Sequence, residues 1–373
     1  MQPLLKMEVF SIMATVQNGQ AKQLTPQDRA LLFTQSTRQN YQMLPRQKVT
    51  GENATVQFTL PKVRLLSNIM VEVEATATLT SSAGTIAQNR FAPYNILRRV
   101  SLDLNNGFSP FIVSGKELYL HNMVDEHNSR LDINSNPKAN TFIENVASPG
   151  GTDNKIKFTL NLMNVLNQRD PVGLILLQNE ETNVTLTLDV DVLANAYILN
   201  AGNGDIVAFK DMSISAMVET FSVPPIPQAF PDISILKLVS GRNEVFNGGG
   251  ANTLKLPVGT IYRKLILGFE HEDGTPFSDD DFSGNFELIF NQADIPYSLK
   301  PSILSSLNHS QYGRVLPEGI YVFDFSFQGI SNLGSSRDYV DTERLSEFWV
   351  RFATENVGRV SIVSETLSRL RAE

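Results

Sequence analysis

The chain has 373 residues, 42% of them hydrophobic and 19% charged, with a formal net charge of -8 and no cysteine. That length suits about two domains, each able to bury a core of its own, and the composition is that of a folded chain. The missing cysteines exclude disulfides, thiolate metal sites and cysteine nucleophiles together, which fits folding in a reducing cytoplasm. No run approaches the roughly 18 apolar residues of a membrane-spanning helix, and Lys6 and Glu8 break the apolar opening that a signal peptide needs.

The charge is unevenly placed. Residues 1–48 hold Lys6, Lys22, Arg29, Arg38, Arg46 and Lys48 against Glu8 and Asp28, a net +4 that leaves -12 for the remainder. A basic arm on an acidic body predicts that the arm meets an anionic surface while the body repels nucleic acid. Within the arm, Thr25 is a capping residue, Pro26 suits the first helical position and Asp28 sits in the first turn, so a helix is expected over about 26–44, ending before Pro45. Its apolar residues Leu31, Leu32, Phe33, Tyr41, Met43 and Leu44 form no single stripe, so it needs a partner surface.

Beyond the arm, period-two alternation dominates. Val56, Phe58 and Leu60; Val71, Val73, Ala75, Ala77 and Leu79; Ile156, Phe158, Leu160 and Leu162; and Val184, Leu186, Leu188, Val190 and Val192 each alternate with residues that are mostly polar. A stretch over 115–127 interrupts them with Leu120, Met123, Val124 and His127 at helical spacing. The proline-dense joint 224–231 follows. The pattern then recurs: a strand at Ile266–His271, another at Phe286–Phe290, a helix-like stretch over 300–311, and alternating Tyr321, Phe323, Phe325 and Phe327, then Phe348, Val350 and Phe352. Polar loops are expected at 134–140, 148–154, 200–205, 247–252 and 329–337.

Strands with one wet and one dry face are the elements of stacked antiparallel sheets. The expected fold is therefore all-β: two tandem eight-stranded jelly rolls, a double jelly roll, with an N-terminal helical arm and short helices in the inter-strand loops. The expected organisation is an arm over 1–48, a first roll over 49–223, a linker over 224–231 and a second roll over 232–373.

Motifs that carry chemistry are missing from the sequence. It contains no G-x-S-x-G, no P-loop, no G-x-G-x-x-G after a strand and no H-E-x-x-H. His121 and His127 are spaced wrongly to share a metal on one helix face, and His127 on an apolar stripe reads as a packing residue. The acidic cluster Glu270, Glu272, Asp273, Asp279, Asp280 and Asp281 does not follow a calcium-loop spacing and reads as a solvated loop. No catalytic, cofactor or metal residue is assigned, and no cofactor is expected.

Several segments bear a resemblance. Met13-Ala14-Thr15-Val16-Gln17, then Gln23-Leu24-Thr25-Pro26 opening a glutamine-rich helix, resemble the amino terminus of tectivirus major capsid proteins, the double jelly-roll coats of tailless, membrane-containing bacterial viruses. Residues 91–100, 259–267 and Leu316-Pro317-Glu318-Gly319-Ile320-Tyr321 continue the similarity as short ordered matches across the chain. Residues 1–12 precede the part that resembles the family's start.

The resemblance implies a structural, non-enzymatic coat subunit in the virion capsid shell, made and folded in the host cytoplasm. It also implies a homotrimer of pseudo-hexagonal outline that tiles an icosahedral shell over an internal virus membrane. Its partners would be copies of itself, neighbouring capsomers, the membrane, and minor capsid and vertex proteins, with no direct nucleic-acid binding. Lys22, Arg29, Arg38, Arg46 and Lys48 are the candidate membrane or inner-shell contacts. The competing reading is a secreted double jelly-roll hydrolase or glycan-binding protein, which would ordinarily bring a signal peptide and often disulfides.

Overall fold

A computed structural model describes residues 26–105, 107–125, 141–166, 172–178, 182–326 and 339–369. Lys22, Thr25, His127, Phe327 and the loops over 134–140 and 329–337 lie outside the described residues.

The first half runs α1 (Pro26–Ser36), β1 (Gln39–Met43), β2 (Gln47–Val49), β3 (Thr55–Thr59), β4 (Leu65–Thr80), β5 (Ala87–Gln88), β6 (Leu97–Leu104) and β7 (Phe108–Val113). It continues with α2 (Gly115–Asp125), β8 (Phe142–Ile143), β9 (Thr152–Met163), β10 (Ile175–Leu176), β11 (Val184–Val190), β12 (Tyr197–Ile198) and β13 (Ile206–Phe221). After the proline-rich joint come β14 (Ile235–Phe246), β15 (Gly250–Leu256), β16 (Ile261–His271), β17 (Phe286–Phe290) and β18 (Asp294–Leu299). The chain then forms α3 (Pro301–Tyr312), β19 (Ile320–Asp324), β20 (Val340–Asp341), β21 (Phe348–Thr354) and β22 (Gly358–Arg369).

The long strands build two similar sandwiches. In the first roll the order β1-β13-β4-β9-β8 faces β7-β6-β11-β3; in the second, β14-β22-β16-β19 faces β15-β21-β17-β18. Alternation sets the facing: β11 alternates buried and half-buried residues along its whole length, as β21 does. The second core is rich in phenylalanine, with Phe269 and Phe286 stacked at 5.6 Å. Among the described residues, one strand pairing runs between the rolls. β7 and β14 run parallel, pairing Phe111 with Val239 and Ile112 with Ser240, so a layer from each roll joins into a single nine-stranded sheet.

The arm differs from expectation. The helix does not continue to residue 44; it ends at Ser36, and β1 and β2 take up the remainder. Thr34, Ser36 and Thr37 donate their hydroxyls back to the carbonyls of Ala30, Leu32 and Phe33, a cluster that competes with further helix. Strand β13 offers an open edge, and Gln39 to Met43 pair with Phe221 to Met217 along it. The first helical turns are held by Leu32 and Phe33, both buried, with Phe33 edge-on to Phe221 at 5.5 Å. Two expected loops are also shorter than predicted, because β9 starts at Thr152 and β15 at Gly250.

Candidate functional site

Two surfaces combine charge with defined geometry: the seam between the rolls, and the outward face of the first roll. The seam is organised by α2. Ser114 caps it in a capping box, its Oγ accepting from the Glu117 backbone N–H at 3.2 Å while Glu117 Oε2 accepts from the Ser114 N–H at 2.7 Å. The other Glu117 oxygen accepts from Asn243 of β14 at 3.1 Å, so the cap also reaches the second roll.

Further along the seam sit two carboxylates that the second roll buries. Glu270 accepts from Lys116 of α2 at 2.6 Å, with Arg359 at 3.2 Å and Arg90 at 4.0 Å. Burial lowers both the Lys116 ammonium and the Arg90 guanidinium from their ordinary values, opposed by the Glu270 charge. Glu365 on β22 is completely buried, with His121 of α2 at 2.8 Å, Arg263 at 2.9 Å and Lys237 at 3.5 Å. One carboxylate thus gathers three basic side chains from α2, β14 and β16. A buried charge of this kind persists only where partners and hydrogen bonds compensate its desolvation.

On the first roll's outward face, a polar row crosses four strands: Lys48 of β2 pairs with Ser213 of β13, Ser213 with Glu74 of β4, and Glu74 with Lys157 of β9. Lys157 lies 2.9 Å from both Glu72 and Glu74, and Arg46 lies 2.7 Å from Glu74. The hydrogen bond from Lys157, with Arg46 adding to it, holds the Glu74 carboxyl below its ordinary value, while Glu72 and Glu74 raise the Lys157 ammonium. A groove of about 520 Å³ runs over this row, lined by Arg46, Lys48, Glu74, Lys155, Lys157 and Ser213 among others.

The five basic residues singled out from the sequence therefore divide. Arg46 and Lys48 come together in the groove, with Arg46 already paired. Arg29 is exposed on α1, and Arg38 lies where β1 begins, its backbone N–H bonded to Ser222 Oγ at 2.9 Å. Lys22 is outside the described residues. Lys155 and Lys157 were missed: alternation places them on a wet face, but only the β4–β9 register sets them beside Glu74. His121, which has no second histidine among the described residues placed to share a metal, is in the structure a buried hydrogen-bond partner of Glu365.

The acidic cluster divides: Glu270 is not a solvated loop residue but a buried residue of β16 in the seam, because α2 covers that strand, whereas the remainder belongs to the loop after β16. Asp281 accepts from the Ser278 N–H and hydroxyl at 2.7 Å, and Asp279 accepts from Tyr321 at 2.7 Å and Ser305 at 3.0 Å. Among the described residues no group of three or more His, Cys, Asp or Glu is disposed to hold a metal ion. No helix among them is long and apolar enough to cross a membrane.

Two rolls sharing one continuous sheet define the chain as a double jelly-roll protein. The same fold occurs in solved coat proteins. The major capsid protein of Sulfolobus turreted icosahedral virus superposes with a TM-score of 0.65 at 13% identity, over 89% of this chain and 97% of that one. A capsid model of the virus PBCV-1 gives 0.64 at 12%, over 89% and 93%. Major capsid protein P2 of bacteriophage PM2 gives 0.53 at 12%, over 90% and 99%. No family model and no curated protein sequence matches the chain.

Proposed function

We propose that the chain is the major coat subunit of a virus, a structural protein that works by assembling. The observation that carries this reading is that the likeness to viral coat proteins spans both rolls and about nine-tenths of the chain, not one roll in isolation. Three copies present six similar blocks, so a homotrimer approximates a hexagon and tiles an icosahedral shell. On this reading the subunit is not an enzyme, and its partners are its own copies and neighbouring capsomers in the virion, with minor capsid and vertex proteins closing the shell.

The arm completes the reading. Lys22, Arg29 and Arg38 face an anionic surface beneath the rolls, an internal membrane, whereas Arg46 is engaged by Glu74 and Lys48 lies with it in the groove of the outward face. Each basic residue at such a surface contributes about 1 kcal/mol, so one arm binds weakly and three arms together hold.

Sedimentation of the purified chain tests the subunit reading. A species of roughly three times 41.4 kDa, and hexagonal tiles in electron micrographs, are expected. A stable monomer at micromolar concentration overturns it. For the membrane part, replacing Lys22, Arg29 and Arg38 together by glutamine leaves α1 and β1 in place and should abolish flotation with anionic vesicles while leaving the assembly state unchanged. Equal flotation of the triple variant would refute the arm's role.

A further inference from the structure

The two rolls correspond rung by rung. β4 and β16 each run between two antiparallel partners, and both ladders shift register at the same rung, between Glu219 and Thr220 in one and between Tyr262 and Lys264 in the other. The ladders therefore set Glu219 in the place of Glu365, Met217 of Val363, Met70 of Ile266, Glu74 of Glu270, and Met43 of Gly241. The helices correspond too, because Asn122 of α2 and Asn308 of α3 clasp the backbones of β9 and β19 in the same way. Lys116, Glu117, Leu120 and His121 on α2 thus match Ser302, Ile303, Ser306 and Leu307 on α3.

The matching faces differ in one respect. On α2 the four residues press on the second roll: Lys116 on Glu270, Glu117 on Asn243, His121 on Glu365, and Leu120 over Gly268, where a Cβ would lie 3.3 Å from its Cδ1. On α3 all four counterparts are exposed, Ile303 by 55% and Leu307 by 42%. The sheet that would receive them is bare as well. Ile266 and Val363 are completely buried and belong to the first roll's core cluster, whereas Met70 and Met217 are half-buried and Met43 is 63% exposed. These three methionines lie in one row across β4, β13 and β1.

We propose that the α3 face formed by Ser302, Ile303, Ser306 and Leu307 seats on the Met43–Met217–Met70 row of a second copy of this chain, with β18 running beside β1 as β7 runs beside β14. The proposal rests on the coat-subunit reading and names its contact. The occupant is a second copy because the chain already makes this contact once within itself, and three of the four exchanged pairs fit; in the fourth, Leu307 lies over Glu219, whose carboxylate already accepts from Gln39. Gly241 leaves room for the Glu117 carboxylate, since a Cβ there would fall 2.1 Å from Oε2. In its counterpart, apolar Ile303 meets apolar Met43. Leu120 over Gly268 is answered by Ser306 over Glu72, large on small becoming small on large. Lys116 neutralises Glu270, whereas Arg46 and Lys157 already neutralise Glu74, so Ser302 needs no charge.

Both β1 and β18 end their sheets, edges that soluble proteins ordinarily cover or pair. Flexible methionines suit a surface that is exposed in the free subunit and packed in the assembly. Helix of one copy on sheet of the next is a heterologous contact, which closes into a ring when the rotation allows.

The chain has no cysteine, so introduced thiols report cleanly. Full-length Met43→Cys and Ile303→Cys chains are mixed after reversible dissociation, reassembled and oxidised. A covalent two-chain species from the mixture, and little from either variant alone, is expected. In parallel, Ile303→Asp with Leu307→Asp, exposed positions whose change leaves the melting curve near that of the parent, should weaken self-association at least tenfold by sedimentation. If the parent assembles but the mixture does not cross-link and the double variant assembles as the parent does, this contact is overturned and the coat reading stands. A parent that is monomeric at every concentration overturns both.

Discussion

Asn122 and Asn308 perform the same act in the two rolls. Asn122 Nδ2 donates to the Asn161 carbonyl at 2.7 Å and its Oδ1 accepts from the Asn161 N–H at 2.8 Å; Asn308 does the same to Val322 at 2.8 and 3.0 Å. Both amides are buried, and each satisfies two backbone groups at a strand edge where, among the described residues, no strand pairs at that position. Replacing either by alanine strands those groups, at about 1–3 kcal/mol for each. Denaturant titration should show Asn122→Ala and Asn308→Ala destabilised to a similar extent, and variants within about 0.5 kcal/mol of the parent would mean that water takes over the clasp.

Glu365 holds the seam electrostatically. Glu365→Gln keeps the shape but leaves Lys237 and Arg263 buried against a neutral amide, which should cost about 3–5 kcal/mol. The exposed pair Arg46–Glu74 is the contrast: Arg46→Ala should change stability by less than about 1 kcal/mol. Equal effects in chemical denaturation would show that the seam is hydrated.

Gly115 begins α2 where the chain passes against Tyr94 and Leu97. A Cβ there would lie 2.3 Å from the Tyr94 carbonyl oxygen and 2.8 Å from the Leu97 Cβ, with backbone and not a mobile side chain in the way. Gly115→Ala should therefore lower the melting temperature and the soluble yield, at an overpacking cost of about 1–3 kcal/mol. A parent-like melt would show that α2 can shift away from β6.

Acid should remove a small, assignable contribution at Glu74. The Lys157 hydrogen bond and the Arg46 charge lower its carboxyl from the ordinary 4.5, so the folded chain binds that proton less readily than the unfolded chain. The resulting stability is complete above the ordinary value and disappears as pH falls through the lowered one. Glu74 is more than a third exposed, so the contribution is modest. The melting-temperature gap between the parent and Glu74→Gln should narrow between about pH 6 and about pH 3; a gap that widens on acidification contradicts the assignment.

What could be read from the chain itself was whatever depends on local period. Alternation in Val71 to Leu79, Val184 to Val190 and Phe348 to Phe352 specified half-buried strands, and its recurrence after the prolines specified two similar units, because a pleated strand shows every second side chain to one layer. Features that depend on what covers a strand were not legible. β16 is buried along nearly its whole length, so its alternation disappears, since α2 and the first roll lie on the face that would otherwise be wet. Lys237, Arg263 and Glu365 carry no local signal of burial and become the buried seam only when α2 brings His121 across. The glutamine-rich stretch after Ser36 has no strong preference of its own, and the free edge of β13 decided that it is a strand. Local spacing sets which face a residue shares with its neighbours; only the tertiary packing sets what that face meets, because burial and pairing energies arise between segments far apart in the chain.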